Sequence, residues 1–219
     1  MDMASAVRYG LMSTPTHACT FAAGTDPSRA PLVLLHGSEG TELDLMPLAD
    51  RVAPGAARLA VRGTVPLGQG FAFFRRHPDR RIDEVDLAGR VTALAADLQG
   101  FPDRYPVTGP PLAVGFSNGA IMAAALLWTD PGLLAGAVLF RPQPPYAAEL
   151  PHRLDGVPVL IIDGADDPRR ARGHGQRLAD QLRRAGAAVT HQVLPVGHLI
   201  TAADEEVAHR WLDALLSSP

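Results

Sequence analysis

Five residues, Gly115-Phe116-Ser117-Asn118-Gly119, constrain what this chain can fold into more than any other stretch. They follow the apolar run Pro111-Leu112-Ala113-Val114 and precede a run of small and apolar residues from Ala120 to Leu127. A serine with a glycine two positions away on each side, at a strand-to-helix junction, has the spacing of the G-x-S-x-G nucleophile elbow. The spacing has a steric cause. The turn is tight enough that side chains at the two outer positions would strike the neighbouring strand and helix, and glycine has none. Ser117 is expected at positive φ, its hydroxyl lifted clear at the start of a helix, where amides and macrodipole favour negative charge. Glycine and serine also gather in ordinary turns, so the rest of the chain must supply the strand and the helix.

It does so repeatedly. A strand is expected near residues 17–21, then the polar turn Gly24-Thr25-Asp26-Pro27-Ser28. Pro31-Leu32-Val33-Leu34-Leu35 reads as a strand buried on both faces, ending at His36-Gly37. Asp44 is a candidate N-cap for a helix to about Val52, and residues 58–61 form a second strand. Between Arg62 and Ile82 the pattern gives way to a loop of glycine, aromatic and arginine residues. Asp83 to about Leu98 is helical, with Val85, Leu87, Val91, Leu94 and Leu98 on or near one face. After the elbow and its helix come strands over 134–140, 157–162 and 189–194. A helix over about 171–185 stops at Gly186, and Thr201 with Asp204 resembles a capping box for the last helix, which buries Val207, Trp211 and Leu215. Apolar strands alternating with amphipathic helices predict a doubly wound, mostly parallel α/β sheet with helices on both faces. No repeat or linker divides residues 1–219, so one domain is expected.

Composition narrows the function. The 219 residues carry a formal net charge of -3 without a charge block, which argues against a nucleic-acid or anionic-membrane partner. No lysine is present, which excludes a lysine Schiff base, a P-loop lysine and a Ser-Lys dyad. The lone Cys19 cannot form an internal disulfide and reads as a buried structural thiol. No apolar stretch reaches the roughly 20 residues that span a bilayer, and residues 1–14 lack a secretory pattern, so a cytoplasmic setting is expected. Neither an H-E-x-x-H nor a cysteine-histidine cluster supports a metal, and no cofactor is expected.

In an open α/β sheet the reactive groups collect at the carboxyl ends of the strands. Four candidates lie there: His36-Gly37-Ser38, Ser117, Asp166-Asp167 and His198, and the order Ser, Asp, His is that of one serine-hydrolase arrangement. Ser117 needs a base, and His198 is placed to reach it from the loop after the last strand. His191 lies inside a strand and His174 near a helix start, both with packing or surface roles; His77, His152 and His209 sit among charges or prolines.

From Pro31 to Leu216 the chain resembles the α/β-hydrolase superfamily, in its small phospholipase/carboxylesterase branch with the acyl-protein thioesterases. The carriers are Leu35-His36-Gly37, the loop from Arg62-Gly63 to Phe74-Arg75-Arg76, residues 83–87, the elbow, Phe140-Arg141-Pro142, Gly164-Ala165-Asp166-Asp167-Pro168 and Gly197-His198. The resemblance implies a serine carboxylesterase with Ser117, His198 and, through the pattern G-x-x-D-P, Asp167, with Asp166 the alternative. It assigns the oxyanion hole to the backbone amides of Ser38 and Asn118. His36, Gly37, Phe73, Phe74 and Arg141 are expected around the substrate, with His36 bracing its loop. Arg75 and Arg76 either meet an anion or brace the loop. Arg169-Arg170 departs from the apolar run usual after Pro168 in this family. Fewer than 20 residues separate Phe140 from the next strand, so no large cap domain is expected and the site is open. The implied partner is a small-molecule ester of short to medium or aromatic acyl type, and a homodimer is left open. A thioesterase with the same triad is the alternative, followed by a dienelactone-hydrolase-like enzyme, which Ser117 in place of cysteine disfavours, and a non-catalytic scaffold binding a small ligand.

Overall fold

The computed structural model describes residues 10–13, 16–149 and 151–216, with the backbone alone for 10–13 and 216. The chain runs β1 (Gly10–Ser13), β2 (Ala18–Ala22), β3 (Leu32–Leu35), α1 (Met46–Val52), β4 (Arg58–Val61), β5 (Val65–Leu67) and β6 (Gly70–Ala72). It continues α2 (Glu84–Gln99), α3 (Phe101–Arg104), β7 (Leu112–Phe116), α4 (Asn118–Thr129), β8 (Gly136–Phe140), β9 (Pro158–Gly164), α5 (His174–Arg184), β10 (Ala188–Leu194) and α6 (Ala202–Leu216).

Eight strands form one sheet in the order β1-β2-β4-β3-β7-β8-β9-β10. From β4 to β10 every neighbouring pair is parallel; β2 pairs antiparallel with β4 and β1 antiparallel with β2. The parallel strands β4, β3, β7, β8 and β9 are largely buried on both faces, so alternate residues feed opposite cores, whereas β10 at the sheet edge is half-buried to exposed. Val33, Leu35, Ala113, Leu139 and Ile161 pack with the apolar residues of α2, α3, α4 and α5. Leu32, Leu34, Val114, Phe140 and Ile162 pack on the other side with α1 and α6. The chain leaves β3 toward β4 on one side and later returns to β7 on the other, so a topological switch point lies at β3 and β7, where such sheets bind ligands.

Several local expectations are corrected. The stretch 62–82 contains the hairpin β5–β6, whose two-residue turn begins with Gly68 at φ 58°, the conformation that a glycine-first hairpin turn requires. Asp44 does not cap α1. It accepts the Thr41 hydroxyl at 2.8 Å, and the helix begins at Met46, where Pro47 fits the first turn because its missing N–H is not needed there. Val85 is 86% exposed and lies off the buried face formed by Leu87, Val91, Leu94 and Leu98. The short helix α3 was not foreseen. Residues 141–157 contain no helix or strand among those described, so no helical cap covers the sheet edge there.

Candidate active site

The elbow is built as its spacing requires. Ser117 has φ 52° and ψ -101° between β7 and α4. A Cβ on Gly119 would lie 2.0 Å from the Leu35 carbonyl oxygen of β3, and one on Gly115 would lie 2.7 Å from the Cα of Ala120 in α4. Each glycine thus lets a different pair of elements close up, and their approach presents Ser117 at the switch point. The Ser117 amide donates to the Phe140 carbonyl at 2.9 Å, tying the elbow to the end of β8.

Three side chains from separate loops converge. Ser117 Oγ lies 3.0 Å from His198 Nε2, and His198 Nδ1 lies 2.7 Å from Asp167 Oδ2. A carboxylate only accepts, so Nδ1 carries the proton toward Asp167, and Nε2 is left to accept the serine hydroxyl. The Asp167 side chain is 1% exposed, and its other oxygen accepts the Arg169 amide at 2.7 Å. Burial is the largest influence on His198 and holds it below its ordinary pKa; Asp167 opposes that shift, and Arg170 and Arg169 add to it. The imidazole is therefore neutral at pH 7. Asp166 is not the carboxylate in contact with the ring.

Asn118 is the first residue of α4, where a backbone N–H has no intrahelical acceptor. Its side chain is also engaged, Oδ1 accepting the Phe73 amide at 2.7 Å. Ser38, Ser117 and Asn118 line the same cleft of about 1610 Å³. The Ser38 turn is fixed from two sides. Glu39 takes φ 65°, and the Gly40 carbonyl accepts the Phe71 amide of the hairpin at 2.9 Å. His36 braces that turn: Nδ1 lies 2.6 Å from the Gly37 carbonyl, and Nε2 accepts the Gly63 amide at 2.9 Å. Burial lowers its pKa, consistent with the neutral ring this pattern needs.

The residues expected around the substrate divide. Phe74 lines the cleft, whereas His36, Gly37 and Phe73 are buried behind it. Arg141 is a clear correction: it is 0% exposed, points into the protein and contributes nothing to the cleft wall. Its guanidinium makes a bidentate pair with Asp204 at 2.7 and 2.9 Å and donates to the carbonyls of Ile162, Gly197 and Leu199. The Gly197 and Leu199 carbonyls flank His198, so Arg141 holds the base's loop. Arg75 braces its own loop through Asp86, at 2.8 Å. Arg76 faces the cleft, with its guanidinium 5.7 Å from the Phe74 ring centre.

One neighbour of the nucleophile, Arg170, has no counterpart in the sequence reading; His174, expected at the surface, lines the same wide cleft. Arg170 Nη2 donates to Ser117 Oγ at 2.9 Å and its Nε to the Arg141 carbonyl at 2.6 Å. The double arginine after Pro168 was the available signal, but sequence does not say that the second of the pair turns inward. His191, expected to pack or lie at the surface, contacts Asp163 at 2.8 Å, away from Ser117. Among the described residues, no helix is long and apolar enough to cross a membrane.

No family model matches the chain. It is 37% identical to the “Putative hydrolase MhqD” of Bacillus subtilis over 186 residues, 82% of this chain and 90% of that protein. Among solved structures it is similar to a Bacillus cereus carboxylesterase at 36% identity and TM-score 0.87, covering 91% of this chain and 95% of the other. It is likewise similar to a carboxylesterase from Mesorhizobium loti at 32% identity and TM-score 0.88, covering 94% and 98%.

Proposed function

Because this chain belongs to the phospholipase/carboxylesterase branch of the α/β-hydrolase superfamily, we propose that it hydrolyses short- to medium-chain or aromatic carboxylic esters through an acyl-enzyme on Ser117. The reading rests above all on one observation, the relay from Ser117 Oγ to His198 Nε2 at 3.0 Å and from Nδ1 to Asp167 at 2.7 Å. His198 takes the serine proton as Oγ bonds to the carbonyl carbon, and the carbonyl electron pair moves onto oxygen. The amides of Ser38 and Asn118 are the donors to that oxyanion, each worth roughly 3 kcal/mol of barrier. Collapse re-forms the carbonyl and breaks the bond to the alcohol, which leaves with the proton from His198. Water then attacks the acyl-enzyme by the same relay and releases the acid. Asp167 keeps the ring's tautomer and stabilises the imidazolium. The reading takes residues 1–219 as one hydrolase domain, since a single sheet runs from β1 to β10.

The test compares wild type with Ser117→Ala on graded p-nitrophenyl esters and matching thioesters. Loss of about 10⁴-fold or more in kcat is expected, by analogy with other serine hydrolases. Asp167→Asn should cost orders of magnitude more than Asp166→Asn. An alanine variant that keeps its rate refutes the nucleophile, and a thioester preference replaces the ester reading with a thioesterase using the same relay.

A further inference from the structure

A cation lies against the nucleophile without a direct ion pair among the described residues, although the charges of Asp167 and Asp163 act on it from nearby. Arg170 donates to Ser117 Oγ, to the Arg141 carbonyl and, at 3.5 Å, to the Arg169 carbonyl. All three acceptors are neutral, and among the described residues Arg170 forms no ion pair. The nearby carboxylates are already engaged, Asp167 by His198 and the Arg169 amide, and Asp163 by His191. Arg76 stands on the same wall with Nη1 donating to the Arg80 carbonyl, and it too forms no ion pair among the described residues. Burial, and after it the positive charge of Arg76, pull the Arg170 guanidinium down to about 10, which leaves it charged at neutral pH. The cleft as a whole is lined by eight arginines and five carboxylates, although the full chain carries a net charge of -3. Of those carboxylates, Asp79 is paired with Arg81, Asp83 caps α2 and Asp180 lies against Arg183. A partly desolvated charge without a direct partner is costly unless a ligand supplies the partner.

We propose that Arg170, backed by Arg76, is a carboxylate subsite beside Ser117, and that the preferred substrates are esters bearing a carboxylate one to three carbons from the ester group. The proposal rests on the serine-hydrolase reading above. The spacer follows from reach. Nη2 is 2.9 Å from Oγ. A charge-assisted N–H···O contact spans about 2.8 Å, and an attacked carbon sits roughly 3–3.5 Å from its nucleophile. At about 1.5 Å per C–C bond, one to three carbons bridge those two points. A longer neutral chain on this path would lay methylenes against a half-buried cation. Arg170 donates to a lone pair of Ser117 Oγ; a bound carboxylate takes that donor and leaves the lone pair for attack.

The carboxylate has two sources, the acyl group or the alcohol, and two substrate pairs separate them. Monoethyl glutarate is compared with ethyl valerate, and O-acetyl lactate with isopropyl acetate, by pH-stat. In at least one pair, wild-type kcat/KM is expected to favour the anionic ester by about 10- to 100-fold, the range of a hydrogen-bonded charge pair. Arg170→Gln should lower that anionic-to-neutral ratio by a similar factor, and Arg170→Lys should restore part of it. If Arg170→Gln does not fold, Arg76→Gln is expected to lower the same ratio by a smaller factor. Calorimetry with glutarate on Ser117→Ala requires no chemistry; binding is expected there and should be lost in Ser117→Ala/Arg170→Gln. Equal or greater activity on the neutral ester in both pairs, or a ratio that the arginine variants leave unchanged, overturns the subsite and leaves the triad standing. Glutarate binding that depends on Arg170 in a protein whose ester turnover ignores Ser117 supports the subsite and counts against the triad.

Discussion

Asp204→Asn tests what holds the base in place. Asp204 is completely buried, and its two oxygens accept both terminal nitrogens of Arg141, the Thr201 amide and the Thr201 hydroxyl, all at 2.7–2.9 Å. The amide keeps the shape but turns one acceptor into a donor facing other donors, and it leaves Arg141 charged with nothing opposite. Removing one partner of a buried ion pair costs about 3–5 kcal/mol, because the surviving charge stays desolvated. For a urea slope of about 2 kcal/mol/M the midpoint should fall by roughly 1.5–2.5 M with the slope unchanged. The neighbouring Glu205 provides the control. Its pair with Arg51 is a similar 2.7 Å long, but the arginine side is 54% exposed, so Glu205→Gln should cost less than about 1 kcal/mol. Activity should fall as well, below the unfolding temperature, since Arg141 grips the carbonyls on both sides of His198. Equal shifts for the two variants, or a drop under about 0.5 M for Asp204→Asn, would refute the argument.

Two further outcomes are expected. Gly119→Ala should destabilise the protein by at least about 1–3 kcal/mol in the same unfolding assay, because the new methyl meets backbone of β3 rather than a movable side chain. Gly89→Ala, in the exposed middle of α2 with nothing within 4 Å of its Cβ, should stabilise by about 0.5–1 kcal/mol, and a reversed order would sink the steric account of the elbow. The pH profile of kcat/KM on a neutral ester should fall on the acid side, as His198 gains the proton that disables it as a base. Its pKa is lowered in the folded protein, so the midpoint should lie below about 6.5, the ordinary value for histidine. A midpoint above 7 contradicts the buried, cation-flanked ring.

What the sequence made legible was backbone geometry with a short-range cause. The elbow glycines, the apolar runs of β3, β7 and β8, and Gly186 after α5 each report a local steric or burial demand, and each lies where it was expected. The reversed strand β2 and the hairpin β5–β6 were harder. Strand order is set by long-range pairing, and Val65-Pro66-Leu67 is too short and too exposed to stand out as a strand. Charged side chains were least legible. Nothing in the chain links Arg141 to Asp204, 63 residues away, or separates Arg170, turned inward, from the exposed Arg169 beside it.

That gap matters because the arginine misread as a substrate contact stands at the junction of the whole site. The Phe140 carbonyl holds the amide of Ser117, and the Arg141 amide bonds to Ile162 at the end of β9. The Arg141 carbonyl holds Arg170, and its guanidinium holds the residues before and after His198. The nucleophile, the base and the cation beside them are thus referenced to one turn, where Arg141 takes φ 54°. Such a conformation costs roughly 1–3 kcal/mol for a residue with a side chain. It persists because the Asp204 pair and the carbonyl bonds over-determine it. Catalytic geometry tolerates errors of only about 0.5 Å, so a site assembled from separate loops needs a common anchor. Here that anchor is a buried ion pair beneath the site, which is why a substitution that never touches substrate is expected to reduce both stability and turnover.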